Sequence, residues 1–167
     1  CEKLYRCMEK AQTIVFVNTR ASARALEAYM QSKGHRSGVL TGRPMEPKTR
    51  DEAVRKFRED EYNVLISTDV VARGFDVPKV QMVINLDVPL TGWDTGKIIG
   101  DMDGYQHRIG RTGRFGKSGI AVTITHDDET RGYLDFILES LKRKGDLVPL
   151  EAEDEGEGLV DGQGGGA

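Results

Sequence analysis

The stretch Tyr105-Gln106-His107-Arg108-Ile109-Gly110-Arg111-Thr112-Gly113-Arg114 carries three arginines spaced three residues apart, with a histidine at the front and two glycines between. On a helix, positions three apart share a face, so a helix over residues 105–111 is expected to line the guanidinium groups up in one row. Glycines leave no side chain between that row and a close ligand or a facing backbone. Guanidinium forks bind phosphate oxygens two at a time, so the row suits a polyphosphate. The alternative is a solvated basic helix face. Against it, two glycines in one helical turn cost about 2 kcal/mol, which a plain surface helix has no reason to carry.

The elements that must position this stretch alternate along the chain. Residues 13–18 are an apolar, β-branched run that reads as a buried strand. Residues 21–33 read as a helix with Ala25, Leu26, Tyr29 and Met30 inward, stopped by Gly34. A short strand is expected over 36–40, then a helix over 47–57 with Val54 and Phe57 inward. Buried strands follow over 63–67 and 80–85, a strand over 119–125, and a helix over 129–142 ending at Gly145. This alternation predicts an α/β domain with a mainly parallel sheet and helices on both faces. Ligands then sit at the carboxyl ends of the strands, where Asn18, Thr68 and Asn85 lie. Two glycine patterns are set aside. Residues 92–98 are one residue short of a phosphate-binding loop and place Ile98 where a metal-binding hydroxyl is needed; residues 162–167 have no strand before them and no helix after.

With 167 residues, 38% hydrophobic and 31% charged, the chain fits one soluble domain with a proper core. No apolar run approaches a membrane span and no signal peptide opens the sequence, so no membrane partner is expected. The first residue is Cys1 rather than methionine, which suggests a piece of a longer protein. Cys1 and Cys7 have no metal-ligand spacing and no distant partner, so a reducing compartment is expected; His35, His107 and His126 are scattered and suggest no metal site. The net charge is −3, but residues 151–167 hold six acidic groups and no basic one, which leaves the remainder at +3. A mildly basic body fits a polyanionic partner. Residues 1–148 are therefore expected to form the domain, and 149–167 an acidic, glycine-rich, disordered tail. Such a tail would either compete weakly with a polyanion or merely solubilise the chain.

His107-Arg108-Ile109-Gly110-Arg111-Thr112-Gly113-Arg114 resembles the last signature motif of the DEAD-box RNA helicases. Thr68-Asp69-Val70-Val71-Ala72-Arg73-Gly74-Phe75-Asp76 is similar to a second motif of that family, Ile14-Val15-Phe16-Val17-Asn18-Thr19 to a third and Val83-Ile84-Asn85-Leu86-Asp87 to a fourth, all in the family's order. The resemblance implies a RecA-like three-layer domain, the C-terminal one of the two in such helicases. Neither a true phosphate-binding loop nor the Asp-Glu-Ala-Asp motif is present; both belong to the N-terminal domain, which would hold ATP and Mg²⁺. By the same resemblance Arg111 and Arg114 are arginine fingers, Gly74 offers backbone to the nucleotide, Asp76 accepts from a ribose hydroxyl, and His107 couples the nucleotide site to the other domain. Asp76 also reads as a turn residue before Pro78, and Arg108 as the partner of a carboxylate.

RNA contacts are implied at Asn18, Thr19, Gly42, Arg50 and Thr68, whose small polar groups, amides and one arginine suit phosphate and 2′-hydroxyl contacts. No aromatics are interleaved for base stacking, so the partner is single-stranded RNA, bound without regard to sequence. Asn18 and Thr19 also read as a cap for the following helix, a role that can coexist with RNA contact. Thr41-Gly42-Arg43 stands where the family has His-Gly-Asp, and Pro47 replaces a glutamine three before Arg50. The fifteen residues 90–104, a long glycine-rich loop by composition, resemble an insert of the subfamily that remodels messenger ribonucleoprotein at the nuclear pore. That subfamily implies an mRNP substrate, a pore-associated activator, and location in the cytoplasm, the nucleus or at the pore. Trp93 in this loop either anchors a partner or folds back as a staple. The competing function is a non-catalytic RNA- or protein-binding module that never turns over ATP.

Overall fold

The structure is a computed structural model and describes residues 11–42, 44–68, 80–113 and 118–149. Its elements run β1 (Thr13–Phe16), α1 (Arg20–Ser32), β2 (Ser37–Leu40), α2 (Pro47–Arg58), β3 (Val64–Ser67), β4 (Met82–Asn85), β5 (Leu90–Thr91), β6 (Ile99–Gly100), α3 (Met102–Ile109), β7 (Ile120–Thr123) and α4 (Asp128–Ser140), then a 3₁₀ turn, Lys144–Asp146. Five strands form one sheet in the order β2-β3-β1-β4-β7, and every pairing in it is parallel.

Strand periodicity sends alternate side chains to opposite faces. Ile14, Phe16, Leu65 and Val83 therefore pack with Ala53 and Phe57 of α2. Val15, Val17, Val64, Ile66, Met82 and Ile84 pack with Ala23 and Met30 of α1 on the other face. With both faces covered, the central strands are continuous apolar runs, as the sequence predicts. A third cluster joins Val88 and Tyr105 to Leu134, Ile137 and Leu138 of α4. At the open edge, two side chains of α1 guard β2. Gln31 Nε2 donates to Ser37 O at 3.4 Å, and the Glu27 carboxylate accepts from Val39 N–H. Burial holds the Glu27 carboxyl above its ordinary value, against the pull of that hydrogen bond and of Arg24. Charged side chains at a sheet edge discourage further strand pairing.

Four local expectations change. On α1 the inward stripe is Ala23, Leu26 and Met30; Ala25 is exposed and Tyr29 half exposed, because neighbouring residues on a helix stand about 100° apart. α4 stops at Ser140 rather than running to 142, with Lys142 at φ 55° and Gly145 inside the 3₁₀ turn. The insert is an antiparallel hairpin, β5 against β6, followed by the first residues of α3, rather than a loop throughout. It approaches α4 so closely that a Cβ on Gly100 would lie 2.6 Å from Tyr133 O and from Ile137 Cγ1. At its tip Thr95 N–H closes a turn on Gly92 O, and Trp93 stands 69% exposed, so it is no staple. The last change concerns α3. It ends at Ile109 with Gly110 as its cap, so Arg111, Thr112 and Gly113 form a turn outside it, with Gly113 at φ +70°. Arg108 and Arg111 do not share a helical face, and the helical cost of two glycines does not arise.

Candidate functional site

Gly42, Thr68 and Asn18 follow β2, β3 and β1, three neighbouring strands, and so stand side by side at the carboxyl ends of the sheet. The hydrogen-bond ladder continues into them: Thr68 N–H donates to Leu40 O at 3.2 Å and Val17 N–H to Ser67 O at 3.0 Å. Thr68 and Gly42 are buried, and Gly42 O accepts from Met45 N–H at 3.2 Å. Arg50 is exposed in the first turn of α2. Pro47 opens that helix, where a missing N–H costs nothing, which accounts locally for the proline in place of glutamine. The cap of α1 is Thr19, whose hydroxyl accepts from Ser22 N–H at 3.0 Å.

Asn18 is not the cap. It is exposed, yet fastened on three sides. Its N–H donates to Asp87 Oδ2 at 2.7 Å, its Nδ2 donates to Val88 O at 2.8 Å, and its Oδ1 accepts from Arg108 Nη2 at 2.9 Å. Arg108 comes from α3 and is fully buried. Among the described residues its other partners are Asp87 O, at 2.6 Å from Nη1, and the Phe16 ring, 5.2 Å from the guanidinium carbon. Both are uncharged acceptors of a cation, a carbonyl dipole and a ring face. A helical signal for this burial exists, since Tyr105, three residues earlier, is buried on the same face.

α3 runs back along β4 and delivers the arginine turn to the other end of that strand. Thr112 Oγ1 donates to Gln81 O at 2.9 Å, just before β4, whereas Arg108 reaches Asp87 just after it. The four residues of β4, Met82–Asn85, lie between these two points. So the carboxyl-end rule holds for Gly42, Thr68 and Asn18 but not for the arginine turn. Arg111 is half-buried, and its Nε donates to His107 O at 3.3 Å, which steadies the guanidinium; His107 itself is exposed. A planar guanidinium held at a glycine-flanked turn suits phosphate oxygens. Among the described residues no cluster of three or more His, Cys, Asp or Glu could hold a metal ion, and no helix is long and apolar enough to cross a membrane. Gly74, Asp76, Arg114, Arg43 and residues 150–167 lie outside the described residues.

Comparison with known proteins converges on one family. Residues 1–116 match the helicase conserved C-terminal domain. The chain is 43% identical over 152 residues, 91% of its length, to the ATP-dependent RNA helicase DBP5 of Phaeosphaeria nodorum, of which it spans 31%. It thus covers about a third of that curated relative. Among solved structures it is similar to Saccharomyces cerevisiae Dbp5 bound to RNA and ADP BeF3, with TM-score 0.76 and 38% identity over 84% of this chain and 34% of that one. It is also similar to the C-terminal domain of the DEAD-box protein Dbp5, with TM-score 0.72 and 38% identity over 83% of this chain and 72% of that one. The five-stranded parallel sheet, the strand-end row and the arginine turn therefore have one source: the chain belongs to the helicase conserved C-terminal domain family, on its DEAD-box RNA helicase branch.

Proposed function

We propose that the chain is the C-terminal half of an ATP-dependent RNA helicase that remodels RNA or mRNP. It grips the sugar–phosphate backbone of single-stranded RNA and supplies arginines to ATP held, with Mg²⁺, on an N-terminal RecA-like domain. The observation that carries this reading is the row Asn18, Gly42 and Thr68 at adjacent strand ends, joined through Arg108 to the turn that bears Arg111. ATP, when bound, supplies the reactive γ-phosphoryl group. Arg111, with Arg114, binds its phosphate oxygens from across the domain cleft and stabilises the charge that develops on them. Gly74 presents backbone to the nucleotide, Asp76 accepts from its ribose, and exposed His107 faces the companion domain. Thr19, Thr68 and Arg50 touch sugar and phosphate rather than bases, so the grip is blind to sequence. The similarity to DBP5 proteins and the residue 90–104 insert favour the mRNA-export subfamily, and with it a pore-associated activator and work at the nuclear pore or in the cytoplasm. The test is ATP hydrolysis by the full-length protein with and without single-stranded RNA. Turnover that rises with poly(U) and poly(A) alike is expected. An RNA-indifferent rate, or none with either RNA, overturns the proposal.

A further inference from the structure

The strand-end row runs Gly42, Thr68, Asn18, after β2, β3 and β1, and β4 is the next strand of the sheet. The chain leaving β4 becomes the β5–β6 hairpin. Asn18 is bonded to the start of that exit: its N–H donates to Asp87 Oδ2 at 2.7 Å and its Nδ2 to Val88 O at 2.8 Å. Trp93 follows Val88 by five residues, at most about 18 Å of extended chain. The fold therefore sets the only tryptophan of the chain near the last member of the row, although the two are far apart in sequence.

The hairpin is built to hold this side chain out. Asp101 N–H donates to Pro89 O at 2.9 Å and closes the stem. At the tip the Thr95 N–H and hydroxyl both donate to Gly92 O, at 3.2 and 3.0 Å. Gly92 takes φ +88°, and a Cβ on it would collide with Lys97 O, so the turn is fixed by a residue that only glycine can supply. On this frame Trp93 is 69% exposed. The other side chains of residues 91–97 are small or polar, with no second large apolar one. A protein hot spot sits inside a ring of packed contacts that excludes water, and this tip has no such ring. Nor is the tip an electrostatic grip, because exposed Asp94 offsets exposed Lys97. A lone aromatic face on a pre-ordered turn suits a planar ligand such as a nucleobase.

We infer that Trp93 is a base-stacking platform for the single-stranded RNA whose backbone the strand ends hold. The inference rests on the proposed helicase function and deepens it. Backbone contacts fix the RNA along the row, and the indole takes the face of one base just past Asn18. Every base has such a face, so the contact adds affinity without selecting a sequence.

The experiment titrates the full-length protein, Trp93→Ala and Trp93→Phe by anisotropy against labelled oligouridylate and against the same strand lacking its bases. Trp93→Ala is expected to bind oligouridylate about tenfold more weakly, to bind the abasic strand within about twofold of the parent, and to keep the parent's salt slope. Trp93→Phe should stay within about threefold of the parent on both strands, because a phenyl ring still stacks. Trp93→Ala within about twofold of the parent on oligouridylate overturns the inference and leaves the tip to a protein partner or to solvent. An equal loss on both strands overturns it too, because the tryptophan then supports only the backbone grip. If Trp93→Ala does not fold, emission decides. The difference between the parent and Trp93→Phe spectra isolates the indole, and oligouridylate should quench it where the abasic strand does not. An unquenched indole overturns the platform. A parent that binds neither strand overturns the proposed function and the platform with it. A parent that binds RNA beside an unchanged Trp93→Ala overturns the platform alone.

Discussion

Arg111 and Arg108 show how three residues of spacing separate two chemistries. Arg108 belongs to the last turn of α3 and is wholly buried, while Arg111 lies beyond the Gly110 cap, half-buried in a turn. In the full-length protein, Arg111→Ala is expected to cut kcat by roughly 10³-fold, as removal of an arginine finger does, with RNA affinity nearly intact. Arg111→Lys should not restore it, because a point charge cannot reproduce the fork. Steady-state ATPase kinetics beside RNA titrations check both. At the strand ends, Thr68→Ala and Arg50→Glu are expected to weaken binding to poly(U) and poly(A) equally. Arg50→Glu should also lower the slope of log affinity against log salt by about one. Fluorescence anisotropy at several salt concentrations measures this, and a loss confined to one homopolymer would mark a base reader instead.

Two elements flank α3 and hold it in place. The hairpin of β5 and β6 rests on α4 through Gly100, which has room for a hydrogen and little more. Gly100→Ala is expected to cost about 1–3 kcal/mol, as overpacking does. Chemical denaturation should show the loss, while the emission of Trp93, already 69% exposed at the hairpin tip, should stay that of a solvated indole. α4 starts from a capping box, in which Asp127 Oδ1 accepts from Thr130 N–H at 2.7 Å and the Thr130 hydroxyl bonds back. The backbone N–H of Thr130, and then its hydroxyl, hold the Asp127 carboxyl below its ordinary value of 3.8. A depressed carboxylate contributes stability that is complete above the unfolded value and is lost as pH falls through the folded one. Thermal melts should therefore lose this contribution below about pH 4, and Asp127→Ala should flatten that part of the acid limb. An unchanged acid limb in the variant would show that the cap does not stabilise α4 in the folded chain.

For the whole molecule, a sheet with helices on both faces sets the strand-end row and the arginine turn at opposite ends of β4. Among the described residues there is no phosphate-binding loop, and residues 92–98, which come nearest in sequence, form the tip of a hairpin rather than a strand-to-helix turn. The isolated chain is therefore expected to show no ATP hydrolysis and only weak RNA affinity. A coupled phosphate-release assay on repeatedly purified protein checks this; turnover that survives purification would place the catalytic parts within these residues.

The order of elements, the parallel sheet and its two apolar faces could be read from the sequence, because continuous β-branched runs such as Thr13–Phe16 have no stable placement except between covering layers. The placement of Asn18, Thr68 and Asn85 at strand ends followed from the same order, since parallel strands bring their carboxyl ends together, whereas Gly42 was pointed to by the family resemblance. The arginines were legible as residues but not as a geometry. Spacing by three predicts one helical face only while the helix lasts, and Gly110 ends it after Ile109. Likewise, composition alone made residues 90–104 a loop, whereas residues 90–100 form a hairpin packed against Tyr133 and Ile137 and residues 102–104 open α3. Asn18 and Arg108 are ninety residues apart, and a hydrogen bond at that separation has no local signature. Local propensity and periodicity are properties of neighbouring residues. Which buried cation meets which exposed amide depends on how α3 crosses β4, and only the tertiary structure decided that.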